Sequence, residues 1–306
     1  MITSRRTSEA AEALIGKRID VGPCGYVTLV DYMGTDRSIV EAARVSYGRT
    51  EDRSDAEDMK NLRYMMAHRH TSPFEMCEIK VLCDLPIFCA RQMIRHRTAN
   101  VNEASLRYSE AADVYFVPPA ESCAPQSSSN KQGREEVAID GENAAEIRRL
   151  ITGHNIASHE LYQRLGKELG LTRELARVVL PVSLHTRWIW KIDVHNLLHF
   201  LGLRCDPHAQ KEIREFADAI ASIVQAWLPW TWEAFVDYRM SSTTLSRMEG
   251  LALAHYTREL AAASDGSKAM AIVRKYVLRQ CLEAQGLVGR EVSEGEAKIA
   301  KLLELE

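Results

Sequence analysis

Residues 91–110 read RQMIRHRTANVNEASLRYSE and form the densest polar segment of the chain. The cationic side chains in it are Arg91, Arg95, His96, Arg97 and Arg107. An arginine guanidinium presents a planar fork of N–H donors that matches phosphate and carboxylate groups, so arginines that converge form an anion site. The helix predicted just before the segment has an apolar face, so the arginines come at the end of a buried element. These residue types favour an anion-binding site; the alternative is a charged helix end followed by a polar loop.

Strands and helices are predicted on the N-terminal side of this segment. Gly25 to Met33 is rich in β-branched and aromatic residues and predicts a strand. Helices are predicted from Asp36 onward and over about residues 55–68, and a second strand from Met76 to Leu82. Pro86 suits the first turn of the helix that leads into the arginines.

The C-terminal side is predicted to be mostly helical, which indicates an α+β fold in which few strands precede many helices. Residues 119–145 are Ser-rich and contain prolines, and they predict an exposed loop insertion, with a domain linker as the alternative. Helices are predicted at about residues 146–169, 172–190, 193–203, 209–228, 230–239, 246–263 and 267–285. The predicted organisation is an N-terminal extension (1–24), one domain (25–240) and a C-terminal helical extension (241–306).

Composition excludes several classes of protein. The 306 residues are 46% hydrophobic and 26% charged, as in ordinary globular proteins, and the net charge of −3 argues against a dedicated nucleic-acid binder. The seven cysteines are scattered and form no CxxC pair, which favours reduced thiols and a cytoplasmic protein. No apolar stretch is long enough to span a membrane, and the N-terminus lacks the hydrophobic core of a signal peptide. Neither the GxGxxG nor the GxxxxGK[ST] nucleotide fingerprint is present in its required context.

Arg95-His96-Arg97, followed after seven residues by Ser105, resembles the RHR-x7-S signature of flavin-dependent thymidylate synthases. The resemblance covers about residues 25–240, and further elements of the family occur in its order. These are ARVSY at 43–47, HTSPFE at 70–75, RYS at 107–109, RELAR at 173–177 with Leu180-Pro181, and Leu203-Arg204 with His208-Ala209-Gln210 and Glu212.

The resemblance implies a reductive methylation of dUMP to dTMP. The carbon donor would be 5,10-methylenetetrahydrofolate, and enzyme-bound FAD would be reduced by NADPH. The implied fold is a mainly antiparallel sheet flanked by helices, in a homotetramer whose active sites form between subunits. Dimer and tetramer are not distinguished by the sequence itself.

The resemblance also implies which residues bind dUMP: Gln92, Arg95, Glu103, Ser105, Arg107, Arg177 and Arg204. The phosphate carries about two negative charges, so cations and hydrogen-bond donors must meet it. By the resemblance Arg204 is catalytic, because a fixed cation stabilises the negative charge that builds on the uracil carbonyls. The alternative for Arg204 is a helix C-terminal arginine that complements the dipole. Glu174 precedes Arg177 by one turn and orients its guanidinium, or else forms a routine surface pair with it.

For FAD the resemblance implies Ser72, Arg95, His96, Arg97, Glu103, Asp193, His195 and His199. Asp193 is also a natural helix N-cap, since an apolar run follows it. The chain departs from common family residues at Met76, Met93, Asp193 and His195.

Other chemistries are weaker alternatives. His195, His199 and His208 have spacings compatible with zinc, but Asn196 stands where an H-E-x-x-H motif needs its glutamate. A nucleophilic Ser105 would need a base such as His96, which the resemblance assigns to the flavin. No metal and no nucleic-acid partner is therefore expected.

Overall fold

The computed structural model describes residues 5–46, 48, 54–128, 133–262 and 270–302. Over these residues it contains five β-strands and thirteen α-helices, which fall into two compact units divided between Met240 and Ser241. Tyr47 of the ARVSY element and residues 129–132 of the predicted insertion lie outside the described residues.

An antiparallel sheet forms the centre of the first unit. The strands are β1 (Arg18–Asp20), β2 (Tyr26–Met33), β3 (Glu78–Pro86), β4 (Asn100–Glu103) and β5 (His185–Asp193). Their order across the sheet is β1-β2-β3-β5-β4, and every neighbouring pair is antiparallel. Alternate residues of β3 and β5 are buried, as in strands that cover a core with one face. The predicted α+β class with an antiparallel sheet and flanking helices is confirmed.

The described residues of the first unit also form ten helices. They are α1 (Glu9–Glu12), α2 (Asp36–Val45), α3 (Asp55–Ala67), α4 (Ser72–Glu75), α5 (Ile87–Met93), α6 (Gly141–Gln163), α7 (Arg173–Ala176), α8 (Val194–Arg204), α9 (Lys211–Trp227) and α10 (Pro229–Phe235). The helix α9 buries one face in the core, where Ile213, Phe216, Ile220 and Val224 recur every three or four residues and are fully buried. These helices hold the segments that carry the predicted site.

The prediction of one helix over 172–190 is wrong. The helix α7 ends at Ala176, a short 3-10 turn follows (Arg177–Val179), and β5 begins at His185. Pro181 cannot continue a helix, and beyond it the sequence alternates large buried side chains with more exposed ones, the period of a strand. β4 was also missed, since its four residues, NVNE, are mostly polar and pair only along the edge of the sheet.

The predicted N-terminal extension contains a helix and a strand of the first unit. β1 is the edge strand of the sheet, and Ala11 of α1 is fully buried. The second strand also differs, running over Glu78–Pro86 rather than 76–82, because the buried alternation continues through Cys83 and Leu85.

The described part of the second unit forms three helices, α11 (Arg247–Ala262), α12 (Met270–Ala284) and α13 (Arg290–Leu302). Its own core includes Tyr256, Leu282 and Ile299. Lys298 Nζ donates to Oε1 of the nearly buried Glu249 over 2.8 Å. Over the described residues, the helices predicted at 246–263 and 267–285 correspond to α11 and α12, and α13 is a further helix that the sequence did not predict. Within the described residues, no helix combines the length and apolar character needed to cross a membrane.

Candidate active site

The RHR element and the end of α8 meet through one hydrogen bond. Arg204, the last residue of α8, donates from Nε to Nε2 of His96 over 3.1 Å. Burial, reinforced by the charges of Arg204 and His199, lowers the pKa of His96 to about 4. The ring is therefore neutral near pH 7, with its lone pair on Nε2 and its proton on Nδ1. The His96 ring packs nearly perpendicular to the Phe200 ring, with the ring centroids 4.9 Å apart.

Arg107 and Arg177 both contact Glu174. The carboxylate of Glu174 lies 3.3 Å from Nη2 of Arg107, and its backbone carbonyl accepts a hydrogen bond from Nε of Arg177 over 3.2 Å. The sequence predicts that the carboxylate of Glu174 pairs with Arg177, but in the structure it pairs with Arg107. Both guanidinium groups keep further N–H donors, so the pair is suited to an anion.

The end of β4 contributes Glu103 and the turn that follows it. The hydroxyl of Thr186 donates to Oε1 of Glu103 over 2.6 Å, from the neighbouring strand β5. Ser105 Oγ accepts the backbone N–H of Arg107 over 3.3 Å, and the Ser105 carbonyl accepts the hydroxyl of Ser109. Because Ser105 is hydrogen-bonded within its own turn and not to a histidine, its geometry is that of a binding turn and not that of an activated nucleophile.

A cavity of about 550 Å³ lies beside this turn. Its polar lining includes Asp84, Glu103, Arg177, His185, Thr186 and Arg187. His185 and Arg187 both bind the carboxylate of Asp84, at 2.9 and 3.2 Å, which lowers its pKa against the opposing effect of burial. The sequence did not predict His185, Thr186 or Arg187 as site residues, because it assigned residues 185–187 to a helix. In a helix they would not lie in the same sheet as Asp84 and Glu103.

A second cavity, of about 380 Å³, lies between α8 and the HTSPFE element. His195 and His199, one helical turn apart, both line it, as their spacing predicts. Phe74 and Leu198 supply apolar surface, and further cations come from residues that the motifs did not mark. These are Arg69 and Arg239.

Four further predicted residues, Arg95, Arg97, Ser72 and Gln92, lie outside the linings of both cavities. Arg95, Arg97 and Ser72 are exposed, and the two arginines form no ion pair with any residue that the structure describes. Gln92 donates from its side-chain amide to Oε1 of Gln210. Within one chain these residues do not line either cavity.

Asp193 is the N-cap of α8, as predicted. One carboxylate oxygen accepts the backbone N–H of Asn196 over 3.0 Å, and the other accepts its side-chain amide over 2.7 Å. Both oxygens of Asp193 are therefore used in starting the helix.

The histidines of the zinc alternative have other partners. His199 lies near His96, with ring centroids 6.2 Å apart, and His208 is hydrogen-bonded to Asp206 over 2.9 Å. Among the described residues, no group of three or more His, Cys, Asp or Glu side chains is arranged to hold a metal ion.

Comparison with known proteins gives consistent matches. The family model described as "Thymidylate synthase complementing protein" matches residues 28–230. A flavin-dependent thymidylate synthase of Gluconobacter oxydans is 47% identical over 247 residues, covering 80% of this chain and 81% of the relative. The enzyme of the same name from Ruegeria pomeroyi is 46% identical over 247 residues, with the same coverage.

Solved structures with a similar fold include the UMP/dUMP methylase PolB from Streptomyces cacaoi bound with 5-Br UMP. It superposes with a TM-score of 0.64 at 33% identity, over 71% of this chain and 96% of the other. The same enzyme bound with 5-Br dUMP also gives a TM-score of 0.64 at 33% identity, over 71% and 97% of the two chains.

Proposed function

This chain belongs to the flavin-dependent thymidylate synthase family, and we propose that the side chains described above carry the family's reaction. The reaction is the reductive methylation of dUMP to dTMP, with methylenetetrahydrofolate as carbon donor and FAD, reduced by NADPH, as cofactor. The observation that carries the residue assignment is the hydrogen bond between Arg204 and His96, which joins the proposed catalytic cation to the RHR signature.

The phosphate of dUMP is proposed to bind Arg107 and Arg177. Glu174 contacts both residues and leaves donors free on each guanidinium, and Arg107 is half exposed, so a phosphate can reach it. Ser105 lies on the same turn as Arg107, and Glu103 ends the strand before it; both are proposed to bind the nucleotide from that side. The remaining dUMP contacts are proposed to come from Gln92, Arg95 and Arg204.

Arg204 is proposed to act on the uracil ring. Attack at the ring builds negative charge on its carbonyl oxygens, and a cation held in place before the reaction stabilises that charge as it forms. His96 accepts one N–H of Arg204, which limits the rotation of the guanidinium and leaves its other donors for the carbonyl. Because His96 is neutral near pH 7, it orients Arg204 without repelling it.

The residues proposed for FAD suit an anionic cofactor with a large ring system. Arg95 and Arg97 are exposed and unpaired by any described acid, which fits a diphosphate. The cavity beside α8 offers Phe74 and Leu198 for apolar contact, and its lining includes the imidazoles of His195 and His199 for hydrogen bonds. When bound, FAD supplies the redox chemistry, and the protein holds and orients it. The full proposed set is Ser72, Arg95, His96, Arg97, Glu103, Asp193, His195 and His199, with Asp193 acting through the helix α8 that it caps.

We also propose a cytoplasmic homotetramer whose active sites form between subunits. Tyr108 and Val178, next in the chain to the site residues Arg107 and Arg177, are large side chains that are 81% and 74% exposed. Burial of such surface favours association. Light scattering during gel filtration should give the mass of four chains, whereas a monomer with full activity would contradict the shared site.

The reaction and its catalytic residue are tested together. Purified protein should show flavin bands in its visible spectrum, release FAD on denaturation, and form dTMP from dUMP only with NADPH and methylenetetrahydrofolate. Arg204→Ala should retain FAD and lose dTMP formation by at least about 100-fold, on the scale of removing one charge-stabilising donor. Arg149→Gln, which alters an exposed pair with Glu146 on α6, is the matched control and should leave the rate unchanged. Wild-type turnover by Arg204→Ala would refute the catalytic assignment.

A further inference from the structure

The segment 119–145 is joined to the N-terminus of α9 through Arg134. Arg134 Nη2 lies 2.9 Å from Oε1 of Glu212, and its Nη1 donates to the carbonyl of Ser122 over 3.3 Å. Backbone hydrogen bonds from Ser127 to Gly133 and from Glu135 to Pro125 hold the two sides of the segment together next to Arg134. The arginine is therefore presented from an organised part of the segment.

Glu212 receives a second hydrogen bond, from Nε2 of Gln210 to Oε2 over 2.8 Å. The side chain of Glu212 is only 5% exposed and lies in the first turn of α9, where the helix dipole favours an anion. Burial alone would raise its pKa, but hydrogen bonds from Gln210, from its own backbone N–H and from Arg134 lower it. An ionised carboxylate can only accept hydrogen bonds.

The Glu212 carboxylate determines the orientation of the Gln210 side-chain amide, and through it the orientation of the Gln92 amide. Gln210 must turn its NH₂ group toward Glu212, so its carbonyl oxygen points away, and that oxygen accepts the amide of Gln92. Gln92 in turn uses its NH₂ group on Gln210, which leaves its own carbonyl oxygen as the free end. The order follows from the charge of Glu212 and not from how the amide atoms are assigned.

We propose that Arg134 is a positioning residue for the dUMP site, acting through Glu212 and Gln210 to make Gln92 present its carbonyl oxygen to the substrate. A carbonyl oxygen cannot bind a phosphate oxygen, so Gln92 meets a hydroxyl or N–H group of the nucleoside. The inference rests on the proposed function, in which Gln92 contacts dUMP, and it gives the 119–145 segment a role in substrate binding.

The test is calorimetric titration of dUMP into the full-length, FAD-loaded protein. Arg134→Met should weaken dUMP binding about five-fold, the scale of one net hydrogen bond. Glu212→Gln should have a similar effect, because its amide can donate as well as accept and no longer fixes the orientation of Gln210. The control is Lys211→Gln, which removes the 3.2 Å hydrogen bond from Lys211 Nζ to Ser122 Oγ. It leaves intact the series of contacts from Arg134 through Glu212 and Gln210 to Gln92, which we call the relay. Its dUMP affinity should be unchanged.

A double-variant cycle separates positioning from a general structural effect. In a Gln92→Ala background, Arg134→Met should cause no further loss of dUMP affinity, because the end of the relay is gone. Equal losses in both backgrounds, or wild-type affinity in both Arg134→Met and Glu212→Gln, would overturn the proposal. If Gln92→Ala itself binds dUMP normally, the assignment of Gln92 in the proposed function is wrong, and the relay has no substrate role.

Discussion

Arg204 and His96 are joined by a 3.1 Å hydrogen bond from Nε to Nε2, although 108 residues separate them in the chain. Because the imidazole acts as acceptor, it must be neutral, and the lowered pKa of His96 agrees with that requirement. The bond makes the orientation of the proposed catalytic guanidinium depend on the RHR element.

Replacement of His96 should therefore impair turnover through Arg204. His96→Ala removes a hydrogen bond to a charged group, worth about 1.5–3 kcal/mol, so kcat should fall by at least about ten-fold at saturating dUMP. His96→Gln offers an oxygen acceptor and should recover part of the loss. Rates are measured as dTMP formed per bound FAD, which separates this effect from cofactor loss.

The exposed His154 on α6 supplies the control for this comparison. His154→Ala should leave kcat unchanged. An unchanged kcat in His96→Ala, at full FAD loading, would refute the dependence of Arg204 on His96.

His96 also predicts a pH dependence of stability. Its pKa is about 4 in the folded protein against an ordinary value of 6.5, so between these values the unfolded chain binds more protons. The free energy of unfolding should therefore fall as the pH drops from 6.5 towards 4, and this contribution should be constant above 6.5. The free energy of unfolding, measured by denaturant titration at several pH values in this window, should change less steeply with pH for His96→Gln than for the wild type. An equal pH dependence in the two proteins would contradict the assignment.

The parts of the site that the sequence predicted correctly are local. Asp193 before an apolar run predicts a helix cap, and His195 and His199 at a spacing of four predict one face of α8; both are confirmed. Such relations depend only on the 3.6-residue period and on the polar groups at a helix end.

The parts that were missed depend on contacts distant in the chain. Thr186 reaches Glu103 across 83 residues, and Arg134 reaches Glu212 across 78, and no periodic pattern relates either pair. Wrongly assigning β5 to a helix also hid Thr186, since a strand and a helix present different neighbours to the same side chain. The predicted fold class is nevertheless correct, because the remaining predicted elements still indicate few strands and many helices.

A buried ion pair in the ARVSY region should contribute strongly to stability. Arg44 pairs with Asp58, and their side chains are only 11% and 2% exposed. Asp58→Asn should lower the free energy of unfolding by about 3–5 kcal/mol, because it leaves a buried guanidinium without its counter-charge. The exposed pair between Arg37 and Asp55 is the control: Asp55→Asn should cost less than about 1 kcal/mol. Similar losses in both variants, measured by denaturant unfolding, would contradict the role of burial.

Asp193 should act on FAD through the helix that it caps and not through its charge. Both carboxylate oxygens bind Asn196, and the helix that they start carries His195 and His199 into the second cavity. Asparagine caps helices about as well as aspartate, so Asp193→Asn should retain wild-type stability and FAD affinity. Asp193→Ala should lose about 1 kcal/mol of stability and bind FAD more weakly, as measured by thermal unfolding and by flavin fluorescence on dilution. Loss of FAD from Asp193→Asn at unchanged stability would instead mean that the carboxylate contacts the cofactor directly.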